Sequence, residues 1–175
     1  NTNSSIAQSV HTVQEMLNLC HKHGKTAVIY LSMGFGNPYG DEYNTDIVSH
    51  WAQVLIEKGV QIISIADTVG IATPEQITAL LPSLLTAFPS TEFGLHLHST
   101  PAQRLAKIEA AFNAGCKRID SALKGYGGCP MATDELTGNI PTEDIIHYLR
   151  TQKVNLHLDM EKWQQAMAFS SAVFH

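Results

Sequence analysis

The sequence contains no cluster of lysine and arginine side chains, and its formal net charge at pH 7 is −5. Nucleic acids and anionic membrane surfaces bind proteins that carry such clusters, so we expect neither as a partner. No apolar run approaches the roughly 20 residues that a membrane-spanning helix needs. Asn1 is not followed by a secretory-signal pattern. The sequence therefore predicts no membrane association.

Cysteine is also scarce: the chain has three, at irregular positions, which is too few for a disulfide framework. Cys20 lies in a helical pattern and Cys116 just before a strand pattern, so both are interpreted as buried filler. We expect an intracellular, reducing environment. Hydrophobic residues make up 44% of the 175 residues and charged residues 15%. This composition is typical of a single globular domain, residues 1–175, with a core of its own.

Helical and extended patterns alternate along the chain. Apolar residues at helical spacing predict helices over 4–24, 42–59, 73–88, 101–115, 142–150 and 160–174. Strand patterns occupy 26–33, 61–66, 92–98 and 117–123. This alternation predicts parallel strands joined by helical crossovers. The long loops that carry polar and potentially reactive residues all follow strands. We therefore expect a site at the strand C-terminal ends of an α/β sheet or barrel.

The strand "FGLHLHS" carries two histidines, His96 and His98, at alternate positions. Alternate side chains of a strand share a face, so both imidazoles are predicted to lie opposite the helices. They can converge on one metal ion at the strand's C-terminal end. The alternative is a pair of histidines hydrogen-bonded in the core or lining a wet cavity. Further potential ligands elsewhere in the chain favour the metal interpretation.

Polar residues at the ends of two other strands are further candidates. Asp67 ends the strand in "SIADTVG", where it is either a site residue or the start of an Asx-type turn. Tyr30 and Ser32 share one face of the first strand, and Tyr30 suits a core as well as a site. Ser64 is predicted on the same inner face as the histidines.

The stretch "KGYGGCPMATDELTGN" begins with three glycines, a proline and a cysteine, and ends in Thr-Gly-Asn. Glycine serves where backbone bends sharply or approaches something closely. Cys129 in this loop is either small apolar filler or a reactive thiol, and its position outside any apolar period favours the thiol. Asn139 is either a turn residue before a helix or an amide-oxygen ligand for a hard cation. Imidazole and oxygen ligands together suit Mg²⁺, Mn²⁺ or Zn²⁺, without the cysteine cluster of structural zinc.

Five segments, in this order and spacing, resemble the 3-hydroxy-3-methylglutaryl-CoA lyases: "GNPYGD", "ISIADTVGIATP", "HLHST", "GYGGCP" and "LTGNIPTED". The H-x-H pair alone is shared with Claisen-type synthases of the same superfamily. Those synthases usually have Asn-Asp after the second histidine and lack the G-G-C-P loop. This sequence keeps the loop and has Ser99-Thr100, whereas the lyases mostly carry Asp where Ser99 stands.

The resemblance implies an α/β fold of the (β/α)8 TIM-barrel type, of which the chain holds about the last four strand–helix units and C-terminal helices. The family's first-strand Arg–Asp pair, which contacts substrate and metal, has no counterpart in this sequence. We therefore expect a C-terminal portion of a barrel that is inactive alone. Four strands leave two open sheet edges, so we expect the chain to self-associate edge to edge, or to persist only beside other protein that supplies the missing strands. The expected assembly is a homo-oligomer, a dimer.

The resemblance also implies a reaction: cleavage of 3-hydroxy-3-methylglutaryl-CoA, an acyl-CoA substrate, to acetyl-CoA and acetoacetate, as in leucine degradation. The implied roles are metal binding for His96, His98 and Asn139; catalysis for Cys129, His96 and Asp67; substrate binding for Tyr30, Ser32 and Ser64; and a lid loop for Gly125, Gly127 and Gly128. The implied cofactor is a divalent cation, Mg²⁺ or Mn²⁺. The implied location is cytoplasmic in a bacterium and the mitochondrial matrix in a eukaryote.

Two alternatives remain open on the sequence. One is a related metal-dependent aldolase or Claisen-type synthase of the isopropylmalate or citramalate kind. The other is a metal-binding fragment, or an α/β packing module, without catalytic activity.

Overall fold

A computed structural model describes residues 4–128 and 137–174. Its strands are β1 (Ile29–Leu31), β2 (Ile62–Ala66), β3 (Glu92–His96), β4 (His98–Ser99), β5 (Ile119–Asp120) and β6 (Gly138–Asn139). Four of them form a parallel sheet in the order β1-β2-β3-β5. The predicted parallel α/β architecture, with consecutive strands as neighbours, is therefore confirmed.

The helices that alternate with these strands are α1 (Ile6–Lys22), α2 (Thr45–Glu57), α3 (Pro74–Ala87), α4 (Arg104–Asn113), α5 (Thr142–Thr151) and α6 (Met160–Val173). Their N-termini are fixed by the sequence. The side chain of Asn44 accepts from the Ile47 N–H and caps α2. Thr73 and Gln76 form a capping box at α3, and Pro74 is its first residue, as predicted.

The two faces of the parallel sheet differ in chemistry. One face carries Ile63, Ile65, Phe93 and Leu95, each at most 2% exposed and packed in the core beneath the helices. Because side chains alternate along a strand, the intervening residues point to the other face. That second face, called here the inner face, carries polar residues. Helices packed on one face only are the arrangement of a barrel wall, not of a doubly wound sheet.

Two predicted strands are shorter in the structure, and one is divided. The first covers only Ile29–Leu31, and the fourth covers only Ile119–Asp120 before a 3₁₀ turn at Leu123–Gly125. The predicted strand 92–98 ends at His96. His98 belongs instead to β4, which pairs antiparallel with β6. This small ladder was not predicted, because its partner lies about 40 residues away in the sequence, beyond the reach of local patterns.

In residues 4–128 and 137–174, no helix is both long and apolar enough to cross a bilayer.

Candidate active site

Asp120, at the end of β5, is the centre of the polar cluster on the inner face. Its Oδ2 accepts hydrogen bonds from Tyr30 Oη at 2.7 Å and from Ser64 Oγ at 3.1 Å. His96 Nδ1 lies 3.6 Å from the same oxygen. The strand register produces this convergence, because Tyr30 is paired with Ser64 and His96 with Asp120. The structure thus brings together three of the predicted site residues around a carboxylate.

Asp120 and burial act in opposite directions on the pKa of His96. Burial lowers this pKa most, the neighbouring His98 lowers it further, and the charge of Asp120 raises it. The net shift is downward, so His96 is held as the neutral imidazole near pH 7. The hydrogen bond to Asp120 raises the pKa of Tyr30, and burial adds to the rise. A neutral imidazole can accept a proton or bind a cation.

The two histidine rings are neighbours, with centroids 5.0 Å apart in an edge-to-face arrangement. His98 is 5% exposed, and its Nδ1 lies 2.8 Å from the main-chain oxygen of Asp67. A carbonyl oxygen only accepts, so Nδ1 carries the proton and Nε2 holds the lone pair. This is the tautomer that metal-binding histidines commonly adopt, with the other nitrogen donating to a carbonyl.

Asn139 lies directly across the β4–β6 ladder from His98. Its Nδ2 donates to the main-chain oxygen of Tyr126 at 2.8 Å, so Oδ1 is the side-chain atom that can bind a cation. Residues 4–128 and 137–174 contain no group of three or more His, Cys, Asp or Glu side chains placed to hold a metal. The available donors are two imidazoles and one amide oxygen, a set that fits a divalent cation whose remaining ligands come from elsewhere.

Asp67 lies beside this site, but its carboxylate points into the core. The side chain is wholly buried: Oδ2 accepts from Lys107 Nζ at 2.9 Å, and Oδ1 accepts from the Ala72 N–H at 3.0 Å. Only its main-chain oxygen reaches His98. The carboxylate bonds an N–H of its own loop that lies five residues on, not the two of an Asx-type turn, and the main-chain oxygen contacts His98, a predicted ligand.

The three predicted lid glycines pack against the segment that carries Asn139. A Cβ on Gly125 would lie 2.8 Å from the main-chain oxygen of Asn139, and one on Gly128 would lie 2.9 Å from that of Thr137. Gly127 accepts the Asn139 N–H. Close approach of two backbone segments is thus what these glycines permit here. Cys129 lies outside the described residues, so its predicted role is not addressed by the structure.

Ser32 follows β1 and is exposed. It lines an open cavity of about 770 Å³ between α1, β1 and α2, together with Tyr30 and Thr68. The two histidines, Ser64 and Asn139 do not line this cavity. The structure therefore places Ser32 near Tyr30 but does not bring it to the histidine pair.

Sequence reasoning missed two charged residues that organise the site. Asp120 ends a strand, as Asp67 does, and the same rule would have identified it. Lys107 is 1% exposed on α4, on the same face as Ile108 and Ala111. A lysine in the apolar stripe of an amphipathic helix was the available signal.

A family model with the description HMGL-like matches residues 1–169. Hydroxymethylglutaryl-CoA lyase YngG of Bacillus subtilis is 34% identical over 162 residues, which are 93% of this chain and 54% of that protein. The cytoplasmic 3-hydroxy-3-methylglutaryl-CoA lyase of Mus musculus is 32% identical over 97% of this chain and 49% of that protein. The chain thus spans about half the length of these relatives.

Solved structures give the same result. A crystal structure of the Bacillus subtilis HMG-CoA lyase superposes with a TM-score of 0.88 and 32% identity, covering 98% of this chain and 57% of that one. The carboxyl transferase domain of Rhizobium etli pyruvate carboxylase shares the fold, with a TM-score of 0.74 at 18% identity. The predicted barrel-type α/β fold is confirmed, and the chain belongs to the HMGL-like family.

Proposed function

We propose that this chain contributes part of the active site of a carbon–carbon lyase that cleaves 3-hydroxy-3-methylglutaryl-CoA to acetyl-CoA and acetoacetate. The observation that carries the proposal is the pair of imidazoles, with ring centroids 5.0 Å apart, beside Asn139 at the strand C-terminal edge. Family membership over residues 1–169 supports the lyase class. The named substrate comes from the relatives and is part of the proposal.

His96 is the proposed base for the C3 hydroxyl of the substrate. Its lowered pKa keeps the ring neutral, and its Nδ1 has no hydrogen-bond partner among the described residues. A neutral imidazole within reach of a hydroxyl can take its proton as the carbon–carbon bond breaks. Asp67 is the proposed helper, acting through its main-chain contact with His98.

His98, His96 and Asn139 are the proposed ligands of a divalent cation, Mg²⁺ or Mn²⁺. Such a cation, when bound, supplies Lewis-acid polarisation and a template for the hydroxyl and carboxylate oxygens of the substrate. The chain prepares two of these ligands in advance, since the His98 tautomer and the Asn139 amide orientation are each fixed by a hydrogen bond to a main-chain oxygen.

Cys129 is the proposed acid that returns a proton to the carbanion left on the acetyl-CoA product. A thiol suits this step because its ordinary pKa of about 8.5 is close to neutral. The loop of Gly125, Gly127 and Gly128 is proposed to close over the site and exclude water. Tyr30, Ser32 and Ser64 are assigned to substrate binding. The proposed location is the bacterial cytoplasm or the mitochondrial matrix.

The activity is tested by acetoacetate release from 3-hydroxy-3-methylglutaryl-CoA in the presence of Mn²⁺. We expect no turnover from the chain alone, and turnover when it is mixed with the segment of the Bacillus subtilis relative that it does not match, called here the complementing segment. Release of acetoacetate by the chain alone would contradict the half-site interpretation. No turnover by the mixture, together with turnover of a 2-oxo acid and acetyl-CoA, would favour the Claisen-type alternative.

The cation site is tested by calorimetric titration of Mn²⁺ into the mixture of chain and complementing segment. His96→Ala and His98→Ala should each weaken Mn²⁺ binding by at least tenfold, whereas Asn139→Ala should weaken it less, because a neutral amide oxygen is the poorer ligand. His11→Ala, an exposed histidine on α1, is the matched control and should have no effect. Unchanged Mn²⁺ affinity in both site variants would make the histidine pair a purely structural feature.

A further inference from the structure

Among the described ion pairs, the one between Lys107 and Asp67 has the most deeply buried cationic side chain. Lys107 is 1% exposed, although Leu105, two residues earlier on α4, is 58% exposed. Its ammonium group donates to Asp67 Oδ2 at 2.9 Å and to the main-chain oxygens of Gly70 at 3.1 Å and His98 at 2.6 Å. These three acceptors match the three protons of an ammonium group, so the buried charge is fully satisfied.

The three acceptors belong to two separate segments of the chain. Asp67 and Gly70 lie in the loop after β2, and His98 begins β4. The main-chain oxygen of Asp67 accepts in turn from His98 Nδ1. Lys107 thus donates to the carboxylate of Asp67, and the His98 ring donates to the main-chain oxygen of the same residue. The hydrogen bond that selects the His98 tautomer depends on where this loop lies.

Stability alone does not account for such an arrangement. Burying an ion pair costs so much solvation that well-packed apolar residues of similar volume usually serve the fold equally well or better. An apolar side chain at position 107 could not hold the oxygens of Gly70 and His98. What the lysine adds is a fixed position for two main-chain oxygens and for the Asp67 carboxylate.

We propose that Lys107 is a positioning residue for His98: by tethering the Asp67–Gly70 loop to β4, it fixes the His98 ring in the Nδ1–H tautomer and leaves Nε2 as the ligating atom. The tautomer part of this inference concerns the chain itself. Its consequence for a cation rests on the proposed function.

The first test measures the His98 tautomer by nitrogen-15 NMR of the chain, with the signal assigned through His98→Ala. Because Lys107→Met alone strands a buried carboxylate and is expected to unfold the chain, the variant is the charge-neutral double substitution Lys107→Met with Asp67→Asn. At pH about 8, native His98 should be wholly Nδ1–H, and the double variant should show averaged nitrogen shifts.

The matched control removes the other ion pair of α4, Arg104 Nη1 with Asp144 Oδ2 at 3.1 Å, by Arg104→Met with Asp144→Asn. This pair joins α4 to α5 without touching the Asp67 loop, and its loss should leave the His98 signal unchanged. A folded Lys107 double variant that keeps the pure Nδ1–H tautomer would overturn the inference. A change in melting temperature without a change in tautomer would do the same.

The second test follows Mn²⁺ binding through paramagnetic broadening of the His98 signal. The Lys107 double variant should need 10 to 100 times more Mn²⁺ for half-maximal broadening, the effect typical of losing a residue that orients a ligand. The Arg104 double variant should change it less than twofold. If the native chain mixed with the complementing segment shows no broadening, the cation of the proposed function is contradicted, whereas the tautomer measurement on the chain still decides the role of Lys107.

Discussion

Asp120 shows how one carboxylate can set the properties of several neighbours. Tyr30 and Ser64 donate to it, His96 lies 3.6 Å away, and Arg118 Nε lies 3.8 Å from its other oxygen. Its hydrogen bond raises the pKa of Tyr30, and its charge opposes the lowering of the His96 pKa by burial. The residue that tunes the inner face is therefore one that no motif of the sequence marks.

Asp120→Asn should lower the pKa of His96 further below its ordinary value and bring the pKa of Tyr30 down towards its own. The negative charge of Asp120 favours the imidazolium form of His96 and disfavours the phenolate form of Tyr30, and the substitution removes this charge. The folded-state pKa of His96 is already depressed. Its contribution to the free energy of unfolding is therefore fully present above pH about 6.5 and is lost as the pH falls from there to the folded-state pKa. The variant should extend this loss to lower pH.

NMR titration of the ring signals measures both pKa values. Glu92→Gln is the control, because Glu92 pairs with Arg118 at 3.6 Å and has no ion pair with His96. Unaltered pKa values of His96 and Tyr30 in Asp120→Asn would show that the carboxylate does not tune either group.

Cys129 gives a second prediction at the residue scale. In the mixture of chain and complementing segment, Cys129→Ala should reduce turnover 10² to 10⁴-fold, the usual contribution of a positioned acid, with Mn²⁺ affinity nearly unchanged. Cys20→Ala, on α1, should leave turnover as it is. Steady-state assays of acetoacetate release decide the matter, and near-native turnover of the Cys129 variant would remove the thiol from the mechanism.

At the scale of elements, the β4–β6 ladder and the glycine segment form one unit. A Cβ on Gly125 or Gly128 would lie 2.8 or 2.9 Å from a main-chain oxygen of β6 or of the residue before it. Gly125 also has φ +68°, in the left-handed region that favours glycine. The position of Asn139 opposite His98 thus depends on glycines more than ten residues earlier.

Gly125→Ala should destabilise this unit by about 1–3 kcal/mol more than Gly24→Ala does. The two glycines have nearly equal φ, +68° and +61°, but a Cβ at Gly24 meets nothing within 4 Å, whereas one at Gly125 lies 2.8 Å from Asn139 O. Both variants carry the left-handed strain of about 1–2 kcal/mol, so their difference isolates the steric contact.

Urea unfolding gives the global effect, and hydrogen exchange of the Asn139 amide, which donates to Gly127, gives the local one. Equal destabilisation of the two glycine variants would show that β6 accommodates the added methyl group.

At the scale of the whole molecule, the parallel sheet of the described residues has two open edges. Within the described residues, β1 and β5 each pair on one side of the parallel sheet only. Tyr30, on the inner face of β1, is 47% exposed. Unpaired strand edges are templates for another chain, and the relatives are about twice as long as this chain.

We expect the purified chain to self-associate edge to edge, and the complementing segment to suppress this association by covering the same edges. Sedimentation at several concentrations measures both effects. Leu105→Lys, which removes an exposed apolar side chain on helix α4 instead of on a strand, is the control and should leave association unchanged. A stable monomer at all concentrations would contradict the prediction.

The sequence by itself determined the order of helices and strands, the helix starts at Asn44 and Thr73, and the inner face of the histidine strand. Each of these depends on residues close together in the chain: caps, apolar period and strand alternation. The same local rules placed Tyr30 and Ser64 on the inner face of their strands and Asp67 at the end of its strand.

Only the tertiary structure decided how these residues meet. Asp120 acquires its role through strand register across the sheet, Asn139 through a ladder with a strand 40 residues earlier, and Lys107 through the packing of α4 on the Asp67 loop. All three are contacts between distant segments, and their geometry depends on backbone pairing and burial that no local pattern records. The Asp67 carboxylate is the clearest case. Its position after a strand was typical of a site residue, but its side chain points into the core, where it is paired with the buried Lys107.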